Sequence, residues 1–141
     1  MNGSGDAHGR WAWWLAVLSW ASLIFVLSSI PEASLPDAGP PDSLLDTLVT
    51  NGAHLGLYGV LGALLRRAFG EGSRAGWYAW AVALMYGISD EWHQSFVPGR
   101  EWSLFDLALD GVGAGLGLLA VAWATAVRHG HRQRQREAHE R

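Results

Sequence analysis

Trp77-Tyr78-Ala79-Trp80-Ala81-Val82-Ala83-Leu84-Met85-Tyr86-Gly87-Ile88-Ser89-Asp90-Glu91-Trp92-His93-Gln94-Ser95-Phe96-Val97-Pro98-Gly99-Arg100 begins as an apolar run and ends in charge. The run is about the length of a helix that crosses a bilayer, which takes ~20 mostly apolar residues. Its far end carries two adjacent carboxylates, then a histidine, an amide and a guanidinium. Ionisable groups at membrane depth are costly and usually functional. The rest of the chain has to explain how these are tolerated.

Three further apolar blocks flank this one: Trp11 to Ile30, Thr47 to Phe69 and Trp102 to Val127, with the quoted run supplying a fourth from Trp77 to about Ser95. Each is close to a spanning length. The mean hydropathy of the 141 residues is only +0.09, because loops, tail and interior polar groups dilute the blocks. The first block follows a short polar start, residues 1–10. It reads as a retained helix rather than a signal peptide cleaved after Ser28, given its length and Trp content. With no Cys, neither disulfides nor thiolate metal sites are available.

Charge orients the blocks. Pro31 to Asp46 holds four of the five prolines and the acids Glu32, Asp37, Asp42 and Asp46, but no Arg, and reads as an irregular loop. The connection from Arg66 to Gly76 carries Arg66, Arg67 and Arg74 against Glu71. Residues 128–141 hold Arg128, Arg132, Arg134, Arg136 and Arg141. The positive-inside rule places that connection and the tail in the cytoplasm and the acidic loop outside. The expected fold is an all-α integral membrane four-helix bundle in up-down topology, with both termini cytoplasmic. Residues 11–127 form the domain and 128–141 a solvated, disordered tail. Trp11, Trp13, Trp14, Trp77, Trp80 and Trp102 fit an interfacial aromatic belt. No nucleic-acid-binding fold accompanies the basic tail.

Up-down topology brings scattered polar groups to one depth. At the helical rise, His54 lies roughly 10 Å inside the outer end of the second helix and Asp90 roughly 8 Å inside that of the third. Asp106 and Asp110 lie roughly 6 and 12 Å below the start of the fourth. His54 and Tyr58, Asp90 and Gln94, and Asp106 and Asp110 are i, i+4 pairs, the last preceded by Ser103, so each helix shows one polar stripe. Stripes facing lipid would be unpaired, so they face one another. Glu91 points about 100° away from Asp90 and need not share its surroundings. Gly52 with Gly56, Gly111 with Gly115 and Gly113 with Gly117 read as packing devices.

His54, Asp90, Glu91 and Arg100 are the candidate catalytic residues. The imidazole and a carboxylate suit proton shuttling, and the guanidinium suits a phosphate or carboxylate, or else neutralises a neighbouring acid. Tyr58, Gln94, Ser103, Asp106 and Asp110 are candidate binding residues. Acids outnumber cations here, so some keep their protons or a cation offsets them. A metal on His54, Asp90 and Asp106 is chemically possible, but there is no His-Glu-x-x-His or Cys set. The expectation is therefore no metal and no cofactor.

Asn51-Gly52-Ala53-His54-Leu55-Gly56-Leu57-Tyr58-Gly59, Ser89 through Arg100, Ser103 to Asp106 and Asp110-Gly111-Val112-Gly113-Ala114-Gly115 resemble the VanZ-like family of small bacterial membrane proteins. The family often has Lys shortly before the His, where this chain has Thr50 or Asn51, and Asn in place of Asp110. The resemblance implies a multi-pass protein of the bacterial cytoplasmic membrane. It also implies a link to teicoplanin-type glycopeptide susceptibility, through a relative associated with lowered sensitivity. It names no reaction. Two readings of the site stay open: an outward-facing enzyme on a lipid-linked or envelope substrate, lacking an obvious nucleophile, and a non-enzymatic binder of an envelope lipid, cell-wall precursor or lipophilic ligand. A transport path is weaker, since the inner helix halves are almost wholly apolar. A cluster that only fixes helix packing is the bland alternative. Membrane lipids are the expected partners, and no oligomeric state follows from the sequence.

Overall fold

A computed structural model describes residues 4–34, 43–72 and 74–140. Among them the regular structure is wholly helical: α1 Ser4–Ser28, α2 Leu44–Phe69, α3 Ala75–Gln94 and α4 Leu104–His139, with one 3-10 turn at Glu32–Ser34. The centre of the Pro-rich loop, residues 35–42, lies outside the described residues, as does Arg141.

The helix ends follow local chemistry. Gly70 takes a φ of +83°, the left-handed position that closes a helix, and its N–H donates to Arg66 O at 3.1 Å. Ser103 caps α4 in an extended conformation, its Oγ accepting from Asp106 N at 3.2 Å. Between α3 and α4 the chain reverses through Pro98-Gly99, with Gly99 at φ +81° and Arg100 N donating to Val97 O at 3.0 Å. The Glu32 N–H donates to Pro98 O at 3.3 Å, which joins this turn to the start of the α1–α2 loop.

Among the described residues three helices are long and apolar enough to cross a membrane: α1 from Arg10, α2 from Thr47, and α4. The 20-residue α3 has the length, but Asp90, Glu91, His93 and Gln94 sit in its last turns and lower its hydropathy. Most apolar side chains point outward. Only 17–22 % of each spanning window is buried, leaving residues such as Leu18, Leu48, Leu119 and Trp123 on a surface that lipid would cover. The tail differs from the sequence expectation, since α4 continues as an exposed helix through Arg128 to His139. Arg, Gln, Glu and Ala are good helix formers, and the preceding turns have already met the cost of nucleation. At 36 residues α4 spans ~54 Å, well beyond a ~30 Å hydrocarbon layer.

The bundle is held at two kinds of contact. A seam of small residues brings α2 and α4 backbone to backbone. A methyl on Gly62 would collide with the Ala114 backbone, one on Gly113 would sit 2.6 Å from Leu55 O, and Gly117 lies against Gly59. The seam differs from the sequence expectation in its members, because a methyl on Gly52 or Gly56 would meet nothing within 4 Å. Aromatic donors tie the remaining helices to one another. Trp20 Nε1 donates to Leu57 O at 2.9 Å, Tyr86 OH to Ala21 O at 2.6 Å, and Trp80 Nε1 to Gly111 O at 3.0 Å. Trp80 and Trp14 therefore pack inward, while Trp11, Trp77 and Trp102 stay exposed.

Candidate functional site

The α2–α4 seam sets His54 against Asp110, 2.9 Å apart between Nδ1 and Oδ1. Both lie near the start of their helices, and α1 and α3 reach the same end of the bundle with their C-termini. There Asp90 and Glu91 enter from the last turns of α3, both buried, at 4 % and 0 % exposure. Consecutive residues on a helix diverge by about 100°, so the two acids meet different neighbours.

Asp90 faces α1 and α2. Its Oδ2 accepts from Ser28 Oγ at 2.8 Å, from Gln94 Nε2 at 3.0 Å and, more weakly, from Tyr58 OH at 3.4 Å. Three donors from three helices therefore converge on one oxygen. Glu91 faces the start of α4, its Oε2 accepting the Ser103 N–H at 2.8 Å. It also joins His54 and Asp110 in a group whose ligand-type atoms all lie within 4.8 Å of one another. Thus Glu91, which need not share the surroundings of Asp90, belongs to the histidine side of the same interior. Gly87 lies between the halves: a Cβ there would sit 3.4 Å from both Asp110 Oδ2 and Tyr58 Cε1.

Each of the three buried acids keeps one oxygen without a hydrogen-bond partner among the described residues: Asp90 Oδ1, Glu91 Oε1 and Asp110 Oδ2. Unsatisfied buried acceptors are costly, and native structures contain few. Arg100 is half-buried at the turn, its enclosed Nε without a hydrogen-bond partner among the described residues. It forms no ion pair with Asp90, Glu91 or Asp106 among the described residues, so its neutralising role is not seen in this structure. Asp106 is half-buried in the first turn of α4, and its carboxylate makes no hydrogen bond among the described residues, while lying close enough to His54, Glu91 and Asp110 to interact with them electrostatically. Ser103 takes part through its main-chain N–H, while its hydroxyl caps the helix.

One member has no counterpart among the sequence candidates. Ser28, the last residue of α1, is 7 % exposed and holds Asp90 directly. Its depth was the available signal: it ends an apolar block at the level of His54 and Asp90. His93 stands outside the cluster, stacked on Phe25 at a 4.4 Å centroid distance and 3.0 Å from Ser29 Oγ, where it ties α3 to α1.

The arrangement offers acceptor oxygens to a hydroxyl, an ammonium or a cation, with one guanidinium at the rim for an anionic group. His54, whose side chain is 11 % exposed, is the member of its pair nearest the surface, Asp110 being fully enclosed. The family model described as VanZ/LLP1 matches residues 13–125, a stretch that contains every residue of the cluster. No curated protein and no solved structure matches the chain.

Proposed function

This chain belongs to the VanZ/LLP1 family, and on that footing we propose that it is a multi-pass protein of the bacterial cytoplasmic membrane that binds the polar headgroup of an envelope lipid or lipid-linked cell-wall precursor. Binding there alters the response to teicoplanin-type glycopeptides. The observation that carries this reading is the set of three enclosed carboxylate oxygens that have no hydrogen-bond partner among the described residues, with Arg100 on the turn that joins α3 to α4. The acids receive hydroxyl or ammonium groups of the headgroup, and Arg100 receives its phosphate or carboxylate.

The distribution of charge supports an outward orientation of the site. Arg67 lies over the Trp13 ring at 5.4 Å, and Glu71 is 3.9 Å from His129, which gathers the start of α1, the α2–α3 connection and the basic tail at the end opposite the cluster. Arg-rich segments favour the cytoplasmic side. In this reading α3 crosses with the other three helices, its polar last turns shielded by α1, α2 and α4.

A second reading, a cluster that fixes packing alone, draws on Asp90, whose one oxygen joins donors from α1, α2 and α3. Glycopeptide susceptibility separates the two. In a susceptible host, wild-type protein shifts the inhibitory concentration of teicoplanin, while Glu91→Gln and Arg100→Lys, present at wild-type abundance in the membrane fraction, do not. Retention of the shift by both variants would leave only the packing reading.

A further inference from the structure

His54 of α2, Glu91 of α3 and Asp110 of α4 come from three different helices, yet they bring one ligand-type atom each within 4.8 Å of the others. Glu91 and Asp110 are 0 % and 1 % exposed, and Glu91 Oε1 and Asp110 Oδ2 have no hydrogen-bond partner among the described residues. No Arg forms an ion pair with either acid among those residues. Two carboxylates enclosed side by side repel each other, and leaving such charge uncompensated is costly. His54 Nδ1 and Asp110 Oδ1 already lie 2.9 Å apart, so an ion taken between them replaces that hydrogen bond, with the Nδ1 lone pair and a carboxylate oxygen turned to the metal.

We infer that His54, Glu91 and Asp110 bind one divalent transition-metal ion, Zn2+ or Mn2+. The ligand set differs from the His54, Asp90 and Asp106 set that sequence spacing suggests: Asp90 is engaged by three donors through one oxygen, and Asp106 is not among the residues whose ligand-type atoms converge. Two carboxylates and a neutral imidazole balance a charge of +2. Imidazole favours zinc and its neighbours, and carboxylate oxygens favour manganese, which narrows the choice to these ions. Bonds of about 2.0–2.2 Å draw donors to separations of roughly 3.4 Å, a contraction within reach of side-chain torsions. Three protein ligands leave a coordination position open, as in zinc sites that bind a substrate or water. A phosphate or carboxylate oxygen of the headgroup would occupy it. That occupant rests on the function proposed above; the ion itself does not.

The test uses the full chain in detergent, stripped with EDTA and titrated with ZnCl2 or MnCl2 alone, with bound metal counted by mass spectrometry. A parallel chain carrying His129→Gln, His131→Gln and His139→Gln silences the tail imidazoles. The expected result is one saturable ion per chain in both proteins. Glu91→Gln and Asp110→Asn each weaken binding by more than about 100-fold, beyond what loss of an outer partner costs, and Glu101→Gln leaves it unchanged. Circular dichroism identifies any variant that fails to fold, and the wild-type titration decides without them. If the helical wild-type and tail-silenced chains take up no saturable Zn2+ or Mn2+, the inference is overturned. If the stripped chain still holds its lipid, the proposed function survives that failure. An ion bound without any lipid would have the opposite meaning.

Discussion

Ser28 Oγ donates to Asp90 Oδ2 at 2.8 Å, joining the last residue of α1 to the end of α3 inside the bundle. The contact makes α1 part of the polar site, where Ser28 adds a third donor to the oxygen that Tyr58 and Gln94 share. Removing it by Ser28→Ala takes away a buried donor to a buried acid. The expected cost is about 1–3 kcal/mol, read as a lowered thermal midpoint in detergent. Ser22→Ala, at an exposed hydroxyl that bonds only its own helix at Leu18 O, leaves the midpoint within error.

The glycine seam predicts a contrast between positions that sequence spacing treats alike. Gly113→Ala places a methyl 2.6 Å from Leu55 O and forces α2 and α4 apart. A loss of about 1–3 kcal/mol follows, as for other overpacked contacts. Gly52→Ala meets nothing within 4 Å and gains helix propensity, so it is neutral or stabilises by up to about 1 kcal/mol. Unfolding of the two purified variants checks both signs.

Orientation is open to a direct chemical test, because the chain has no cysteine. Glu101→Cys lies exposed beside the Pro98-Gly99 turn, and Gly72→Cys lies exposed in the α2–α3 connection. On intact cells an impermeant thiol reagent labels the first and spares the second. The reverse pattern would put the polar cluster on the cytoplasmic side.

The tail is testable as a helix. A Cβ on Gly130 would meet nothing within 4 Å, so Gly130→Pro breaks α4 beyond the bundle without pressing on another helix. Far-UV ellipticity falls by the signal of roughly one or two turns, while the thermal midpoint of the bundle holds. An unchanged spectrum would mean that the tail is not helical in solution.

Four helices were legible from four apolar blocks, since length and hydropathy alone specify such segments. The reach of α4 was not, because a polar sequence says where a segment lies more clearly than whether it is coiled. Asp90, Gln94, His54 and Asp110 stood out because each is expensive at depth and each belongs to a helical stripe. Ser28 did not stand out, because a serine at a helix end is cheap and its own backbone can satisfy it. Glu91 illustrates another limit: a 100° offset says that two side chains diverge, but not that both directions end in protein. The seam raises a similar difficulty, as any four-residue glycine spacing suggests close packing, and only the helix rotations decide which pairs meet.

The most direct test of the account is native mass spectrometry of the chain released from its membrane in mild detergent. The account predicts that the wild-type protein carries one phosphorylated lipid or lipid-linked precursor per chain, and that Glu91→Gln and Arg100→Lys, folded and inserted, have lost it. Equal lipid occupancy in the wild type and both variants, or none in the wild type, would contradict it.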